Sequence, residues 1–359
     1  MKVATSIVTG KEASPALASK AVINAMHKAE ITMANSVLIF LSSEFAANPQ
    51  PAIKAAAQAA NCTQVMGCSA IGVFTEDDWV LDAPAVAVMV FGGNVALKPA
   101  MLNTQQQALL TLSAPNAINS TWLNDKHSRY GGVSGDAIGQ GQFSVWKNAK
   151  GETTGFVDAF IDGVQIATQA SHGLLLITQA QLIQQTEGFN LIAFAHQQKP
   201  IFSLQKAWKA HTKSIQAVPL HLIIVVYGDS VEAIQQGQYQ QTMVVSIDEV
   251  SGSITLAKPL KAGQFICWAL RDSTVAQADM LLMTQTLSQR LNHAPHFGLL
   301  FSCLARGPYL YDGLDRDWML VKQQFCQMPL LGFYGNGEVA EIAGKNQLLP
   351  YSAVLSLAY

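Results

Sequence analysis

An internal repeat is the feature that most constrains the fold of this chain. Residues 298–303 match residues 37–43 as an apolar strand that ends in small residues, and a helical segment follows each. A cysteine comes after each helix, at Cys62 and Cys326, followed by a short strand and a Gly-x4-Gly pair. Because ordered self-similarity of this kind indicates a duplicated unit, the sequence predicts two related, pseudo-symmetric lobes.

Local patterns predict a mixed class of structure. Apolar runs without alternation at 37–42 and 86–91 are typical of strands buried on both faces, and the alanine-rich segment 51–60 opens with proline as a helix does. Residues 143–170 read as three successive strands of a meander, whereas 101–112 favours a helix. The interpretation is an α/β (mixed α+β) fold of layered sheets packed together, with helices on the outside.

The domain prediction follows from the repeat and from the length of 359 residues, which exceeds a usual single core. Residues 174–211 carry short apolar segments amid glutamine and lysine, and we interpret them as a crossing segment. We therefore expect one domain over residues 1–210, bridge included, and a second over 211–359.

Composition excludes several classes of function. Half of the residues are hydrophobic and 13% are charged, against roughly 25% in ordinary domains, which favours a large core or a homo-oligomer interface. The formal net charge of -2 and the lack of basic runs argue against nucleic acid and membrane surfaces as partners. Apolar runs are too short to span a bilayer, and the first residues do not resemble a signal peptide. With five widely spread cysteines, we expect a cytoplasmic protein with reduced thiols.

Three glycine-rich segments, 67–72, 131–136 and 332–337, read as small-residue turns. Glycine lets a ligand approach exposed backbone N–H groups, so such turns form binding walls, although they also serve as plain connections between layers. The candidate ligand-binding residues in the first two are Gly67, Cys68, Ser69 and Asp136.

A second group of candidates follows the strand at 298–303. Arg306 could hold a ligand carboxylate through paired N–H donors, and Glu338 could accept a ligand ammonium group. The competing interpretation makes Arg306 the structural partner of Glu338 or of an aspartate, and Cys303 a small buried apolar residue. Gly307, Asn336 and Gly337 complete this set.

Enzyme and metal motifs are largely missing. Residues 67–72 give G-x-S-x-x-G, one residue away from a hydrolase nucleophile elbow, and no P-loop or dinucleotide fingerprint occurs. His293 and His296 flank Ala-Pro without a cysteine or carboxylate at ligand spacing, so no metal and no cofactor are predicted. One enzymatic alternative remains, in which Cys303 is a nucleophile whose pKa Arg306 lowers.

The chain resembles the FIST domain family, through both its amino-terminal and carboxy-terminal domains. The resemblance is carried by VLIFLSS (37–43), QVMGCSAIGVF (64–74), VAVMVFGG (86–93), GGVSGDA (131–137), FSCLARGPYLY (301–311) and PLLGFYGNGEVAEI (329–342). It implies a sensory domain in intracellular signal transduction that binds a small molecule, with amino acids as a candidate class and no established catalysis. Family members occur beside kinase, chemoreceptor or F-box modules, and since none is present here, signal output implies a separate signalling protein.

Overall fold

The computed structural model describes residues 1–100, 108–135, 141–213, 217–291 and 293–359. The α-helices are α1 (Pro15–Ala29), α2 (Gln50–Ala60), α3 (Ser120–Leu123), α4 (Pro200–Thr212), α5 (Val231–Gln235), α6 (Ser273–Leu291), α7 (Gly307–Leu310) and α8 (Arg316–Gln324), with short 3₁₀ turns at Ser43–Phe45, Pro115–Ala117, Ala195–Gln197 and Leu220–Leu222. The strands are β1 (Lys2–Thr9), β2 (Ser36–Ser42), β3 (Val65–Ala70), β4 (Gly72–Thr75), β5 (Trp79–Leu81), β6 (Ala85–Gly92), β7 (Ala96–Lys98), β8 (Leu109–Ser113), β9 (Arg129–Val133), β10 (Val145–Lys147), β11 (Lys150–Gly151), β12 (Phe156–Asp162), β13 (Ile166–Ser171), β14 (Leu174–Leu176), β15 (Gln181–Glu187), β16 (Asn190–Phe194), β17 (Ile223–Gly228), β18 (Gln240–Asp248), β19 (Ser253–Leu256), β20 (Phe265–Arg271), β21 (Phe297–Cys303), β22 (Leu330–Gly335), β23 (Glu338–Ile342), β24 (Lys345–Leu349) and β25 (Ala353–Ala358).

The chain divides into two compact units. The first contains residues 1–171 together with 279–359, and the second contains residues 172–278. This division differs from the boundary after residue 210 that the sequence suggested. The reason is that the carboxy-terminal segment packs with the amino-terminal half, so that the second unit is an insertion in the chain.

Three six-stranded sheets build the first unit. Their strand orders are β1-β6-β2-β3-β10-β11, β24-β23-β9-β8-β12-β7 and β13-β25-β21-β22-β4-β5. One apolar core draws residues from all three sheets, among them Phe40, Leu110 and Phe333. Helices α1 and α2 cover the first sheet, and α6 and α8 cover the third. The predicted mixed α/β fold of layered sheets and outer helices is therefore confirmed.

The repeat predicted from the sequence is visible in the strand topology. In β1-β6-β2-β3 the first two contacts are antiparallel and β2 runs parallel to β3. In β13-β25-β21-β22 the same pattern recurs, with β21 parallel to β22. Each set has one helix after its first strand and another between its parallel strands. The insertion 172–278 separates β13 from α6, which hid the start of the second repeat from sequence reasoning.

Equivalent glycines mark the repeat at the level of single residues. Gly67 lies opposite Ile39 in the first sheet, and Gly332 lies opposite Leu300 in the third. A Cβ at Gly67 would stand 1.7 Å from the Ile39 carbonyl oxygen, and one at Gly332 would stand 2.1 Å from that of Leu300. Neighbouring backbone therefore requires glycine at both positions.

Local sequence explains the outer helices. Ser14 caps α1 by accepting a hydrogen bond from the N–H of Ala16 at 3.3 Å, and Pro15 occupies the first turn. The buried side chains of α1 recur every three to four residues along one face, as an amphipathic helix requires. The left-handed residue Glu30 ends the helix.

The second unit is a closed antiparallel sheet. Its strand order is β14-β20-β15-β16-β19-β18-β17, and β17 pairs again with β20. The enclosed core includes Phe194, Val225 and Trp268, with Leu204 of α4 packed against them. The indole N–H of Trp268 donates to Ser203 at 2.9 Å. Strands β18 and β19 form an antiparallel hairpin, whereas the supposed crossing segment 174–211 contains three strands and a helix.

Other local predictions were wrong for long-range reasons. The expected meander over 143–170 does not form, because β10, β12 and β13 belong to three different sheets. The helix predicted over 101–112 is contradicted at its end by β8, while residues 101–107 lie outside the described residues. Among the described residues, no helix has the length and hydropathy of a membrane span.

Candidate functional site

The carboxyl ends of several strands meet at one place in the first unit, named here the strand-end junction. The N–H of Gly135, after β9, donates to Ser69 of β3 at 3.0 Å. The N–H of Val133 donates to Gly337 at 2.8 Å, and Asn336 donates to Val133 at 3.0 Å. Both halves of the repeat thus contribute to this place, which is where ligands bind in open α/β sheets.

The three glycine-rich segments converge here, but they are not turns. Residues 67–70 lie in β3, residues 131–133 in β9 and residues 332–335 in β22. Their glycines permit close strand contact; a Cβ at Gly131 would stand 1.9 Å from the Thr111 carbonyl oxygen. Gly337 does sit in a turn, with a φ of +142°. The prediction that these segments are turns was therefore wrong for most of their residues, while their role in binding stays a prediction.

Glu338 is the most unusual group at the junction. Its side chain is fully buried at the start of β23, and neither carboxyl oxygen has a hydrogen-bond partner among the described residues. Burial raises its pKa well above the ordinary value. The guanidinium of Arg306, and the backbone N–H of Ser352, which approaches the carboxyl group without hydrogen-bond geometry, offset only part of that rise. Burial therefore favours the neutral, protonated form of this carboxyl group.

Buried hydroxyl groups near the same strand ends also lack partners. The Oγ atoms of Ser69, Ser134 and Ser302 are buried without a hydrogen bond in the described part of the chain. The backbone carbonyl of Ser69 accepts the hydrogen bond from the N–H of Gly135, and Ser134 directly precedes Gly135 in the chain. Unpaired buried polar atoms are rare and call for an explanation, of which an absent ligand or water is one.

Cys303 ends β21 beside this junction. It is 6% exposed, and its N–H donates to the Ser352 carbonyl at 3.0 Å. Cys68 is fully buried in the core, and burial raises the pKa of its thiol well above the ordinary value. The thiol of Cys68 is thus an apolar packing group rather than a ligand contact.

Arg306 lies in a buried ionic cluster. Its Nε donates to Asp317 at 2.6 Å, its Nη1 to the Ser171 carbonyl at 2.7 Å and its Nη2 to the Ser171 hydroxyl at 2.8 Å. Burial alone would lower its pKa, but Asp317, Tyr311 and Asp279 together more than offset this, and the pKa lies above the ordinary value. The structural interpretation of Arg306, as the partner of an aspartate, is the one observed.

Two tyrosines and a second aspartate extend the cluster. Tyr311 donates to Asp317 at 2.6 Å, and Tyr334 donates to Asp315. Asp315 also caps α8 by accepting from the N–H of Trp318 at 2.9 Å. Burial, and then the charge of Asp317, raise the pKa of Asp315 to about 6. The ionised form of Asp315 is therefore disfavoured in this cluster.

The remaining candidates have structural contacts. Gly307 opens α7 against the ring of Tyr334, which a Cβ would approach to 2.7 Å. Asn336 is exposed, and its Nδ2 donates to the Ser134 carbonyl at 2.8 Å, which fixes the end of β9. Asp136 lies outside the described residues.

Sequence reasoning missed the partners of Arg306. Asp315 carried a usable signal, because an aspartate ahead of a helical segment is a common N-cap. Ser171 and Asp317 carried none, because no sequence pattern shows which serine or aspartate the fold brings to Arg306.

One family model matches part of this layered α/β protein. The FIST C domain model matches residues 205–341, and over this segment the chain is similar to FIST-domain proteins. The match extends across parts of both compact units. The FIST domain is associated with sensing in signal transduction. The resemblance of the first half to the family stays a prediction.

Mycobacterial relatives are similar over part of the chain. The uncharacterized protein Mb0898c of Mycobacterium bovis is 24% identical over 229 residues, 63% of this chain and 59% of its own length. The uncharacterized protein Rv0628c of Mycobacterium tuberculosis is 23% identical over 230 residues, 63% of this chain and 60% of its own length. The chain thus spans about three fifths of the curated relatives that it matches.

Proposed function

We propose that this chain is a cytoplasmic sensor that binds a small amine-bearing molecule, with amino acids as the candidate class, at the strand-end junction. Glu338 is the acceptor of the ammonium group. The observation that carries the proposal is a fully buried carboxyl group whose oxygens have no hydrogen-bond partner among the described residues. An ammonium ion supplies both the charge and the donors that such a group lacks.

Binding at Glu338 is coupled to a proton. Burial keeps the pKa of the empty Glu338 high, so the carboxyl group must ionise when an ammonium ion enters. Each binding event then releases one proton. Affinity for a cationic amine therefore rises about tenfold, or 1.4 kcal/mol, per pH unit below that pKa.

Arg306 has a supporting role in this proposal. Its bonds to Asp317 and Ser171 hold it in the buried cluster, so the ligand carboxylate has to find other donors. Replacement of Arg306 would damage the fold before it reported on binding. Glu338 is accordingly the residue to change.

The test is a thermal-shift screen of the twenty amino acids and simple primary amines, with their N-acetylated forms as matched controls. A ligand at a hundred times its Kd stabilises the native state by about 2.7 kcal/mol. We expect amines, and not their acetylated forms, to raise the melting temperature. Glu338→Gln keeps the shape and should abolish the effect, while Glu341→Gln, exposed on the same strand, should leave it unchanged.

Calorimetry of any hit in buffers of different ionisation enthalpy measures the proton release. One proton per ligand is expected at pH values below the pKa of the empty Glu338, and none in Glu338→Gln. Binding that survives in Glu338→Gln with an unchanged pH dependence would refute the role of Glu338. If no amine shifts the wild-type protein, the amine-sensor proposal itself fails.

Signal output belongs to the proposal as well. A separate signalling protein would read the ligand-bound state, and a homo-oligomer is one form in which a chain so rich in apolar residues could act. The five free cysteines fit a reducing cytoplasm. Light scattering with and without an amine ligand tests the oligomer.

A further inference from the structure

A cavity that Glu338 does not line has its own chemistry. It measures about 730 Å³ and lies in the first unit, between the end of α6 and the segment after α8. Its ionisable lining consists of two imidazoles and a thiol, His293, His296 and Cys326, beside the carboxamides of Gln324 and Gln327. Phe325 and Met328 are buried beneath it. Neither the family match nor the relatives assign it a role.

The side chains of this group are accessible. Cys326, His293 and His296 are all exposed, and the two imidazole centroids lie 6.3 Å apart. Across the described residues, no three His, Cys, Asp or Glu side chains are placed to hold a metal ion. The cavity therefore presents a nucleophilic sulfur next to two groups that become cations when protonated.

The internal repeat supplies a comparison for Cys326. Cys62 holds the equivalent place after α2, but its thiol donates to the Asn35 carbonyl at 3.2 Å and accepts from the N–H of Gln64 at 3.2 Å. Cys68, Cys267 and Cys303 are buried. Burial raises the pKa of Cys267 to about 11, which disfavours its thiolate. Among the five cysteines, exposure and surroundings single out Cys326.

We infer that this cavity binds an anionic low-molecular-weight disulfide of the oxidised-glutathione type and that Cys326 forms a mixed disulfide with it. The Cys326 thiolate attacks one sulfur of the disulfide, whose S–S bond breaks as the new one forms. The departing thiolate takes up the proton that Cys326 gave up. The disulfide is the oxidant, and no further reactant is needed.

The two imidazoles and the cavity size determine the ligand class. Protonated imidazoles attract carboxylates, and a neighbouring cation also raises the thiolate fraction of a cysteine. No Asp or Glu lines the cavity to repel an anion. A volume of about 730 Å³ accommodates a peptide of this size.

The experiment measures the modification rate of each cysteine by peptide mass spectrometry, with oxidised glutathione and with the neutral hydroxyethyl disulfide. Cys326 should react about tenfold faster than Cys62, and its rate should saturate with oxidised glutathione but rise linearly with the neutral disulfide. The double variant His293→Gln, His296→Gln should lose saturation and about tenfold in rate with oxidised glutathione only. Both residues are exposed, and circular dichroism checks that the variant is folded.

Each other outcome overturns the inference. Equal modification rates at Cys62 and Cys326 would show that oxidised glutathione does not react selectively with Cys326. Linear kinetics with both reagents, or unchanged kinetics in the double variant, would leave ordinary surface exposure as the whole cause. Faster reaction at Cys303 would instead favour nucleophilic chemistry at the strand-end junction.

Discussion

Asp315 and Asp317, two residues apart in one buried cluster, should respond in opposite ways to the same substitution. Asp317 is the counter-charge of Arg306 and the acceptor of Tyr311. Asp317→Asn leaves a buried cation without its partner, a change that costs about 3–5 kcal/mol. Both side chains of this pair are almost fully buried, so solvent does not screen the loss.

Asp315→Asn removes a charge that the fold disfavours. Asparagine still caps α8 and can pair with Tyr334. The rise of the Asp315 pKa from 3.8 to about 6 corresponds to about 3 kcal/mol of unfavourable ionisation. At pH 8 we therefore expect no loss of stability from this variant, and a gain of at most that size.

The raised pKa of Asp315 determines how its contribution to the free energy of unfolding changes with pH. A carboxyl group with a folded-state pKa above its unfolded value stabilises the protein fully below pH 3.8, and this stabilisation is lost as pH rises through about 6. Urea unfolding at pH 5 and pH 8 should thus show a smaller decline for Asp315→Asn than for the wild type. If Asp317→Asn were no less stable than Asp315→Asn at pH 8, the assignment of charges in this cluster would be wrong.

Two further substitutions test the packing described above. Gly67→Ala and Gly332→Ala should each cost more than the roughly 1 kcal/mol of a typical point mutation, because the added Cβ would meet the Ile39 or Leu300 carbonyl oxygen. Gly188→Asn, with open space around it, is the control, and equal melting temperatures for all three variants would contradict this close packing. In the second unit, Ser203→Ala leaves the buried indole N–H of Trp268 unpaired and should cost about 1–3 kcal/mol by chemical denaturation, and an unchanged midpoint would show that this bond contributes nothing.

Much of the local structure could be predicted from the sequence. Buried strands such as β2, β6 and β21 appear as continuous apolar runs, because both of their faces are covered. The repeat was detectable for the same reason, since each copy keeps its strand, helix and glycine order. Strand partners were not detectable, because β10, β12 and β13 pair with segments from distant parts of the chain.

The sequence could indicate candidate site residues but not their contacts. Glycine in β3 and β22 reflects a neighbouring carbonyl, and a sequence cannot distinguish that cause from a turn. Arg306 was selected as a ligand contact, with pairing to an aspartate as the alternative, and only the folded chain shows that Asp317 and Ser171 are its partners. Glu338 is unusual because its carboxyl oxygens lack hydrogen-bond partners among the described residues. No sequence pattern predicts that a buried side chain will lack a partner.

Strand β4 pairs with β22, and the two strands are synthesised at widely separated times during translation. Residues 72–75 leave the ribosome early, whereas residues 331–334 are among the last to be synthesised. At about 5–20 residues per second, the early strand waits from roughly ten seconds to a minute for its partner. Throughout that interval the edge of β4 that will pair with β22 is open, and the apolar ring of Phe74 lacks its final packing. We therefore expect the need for chaperones during folding to increase when translation of residues 172–278 is slowed.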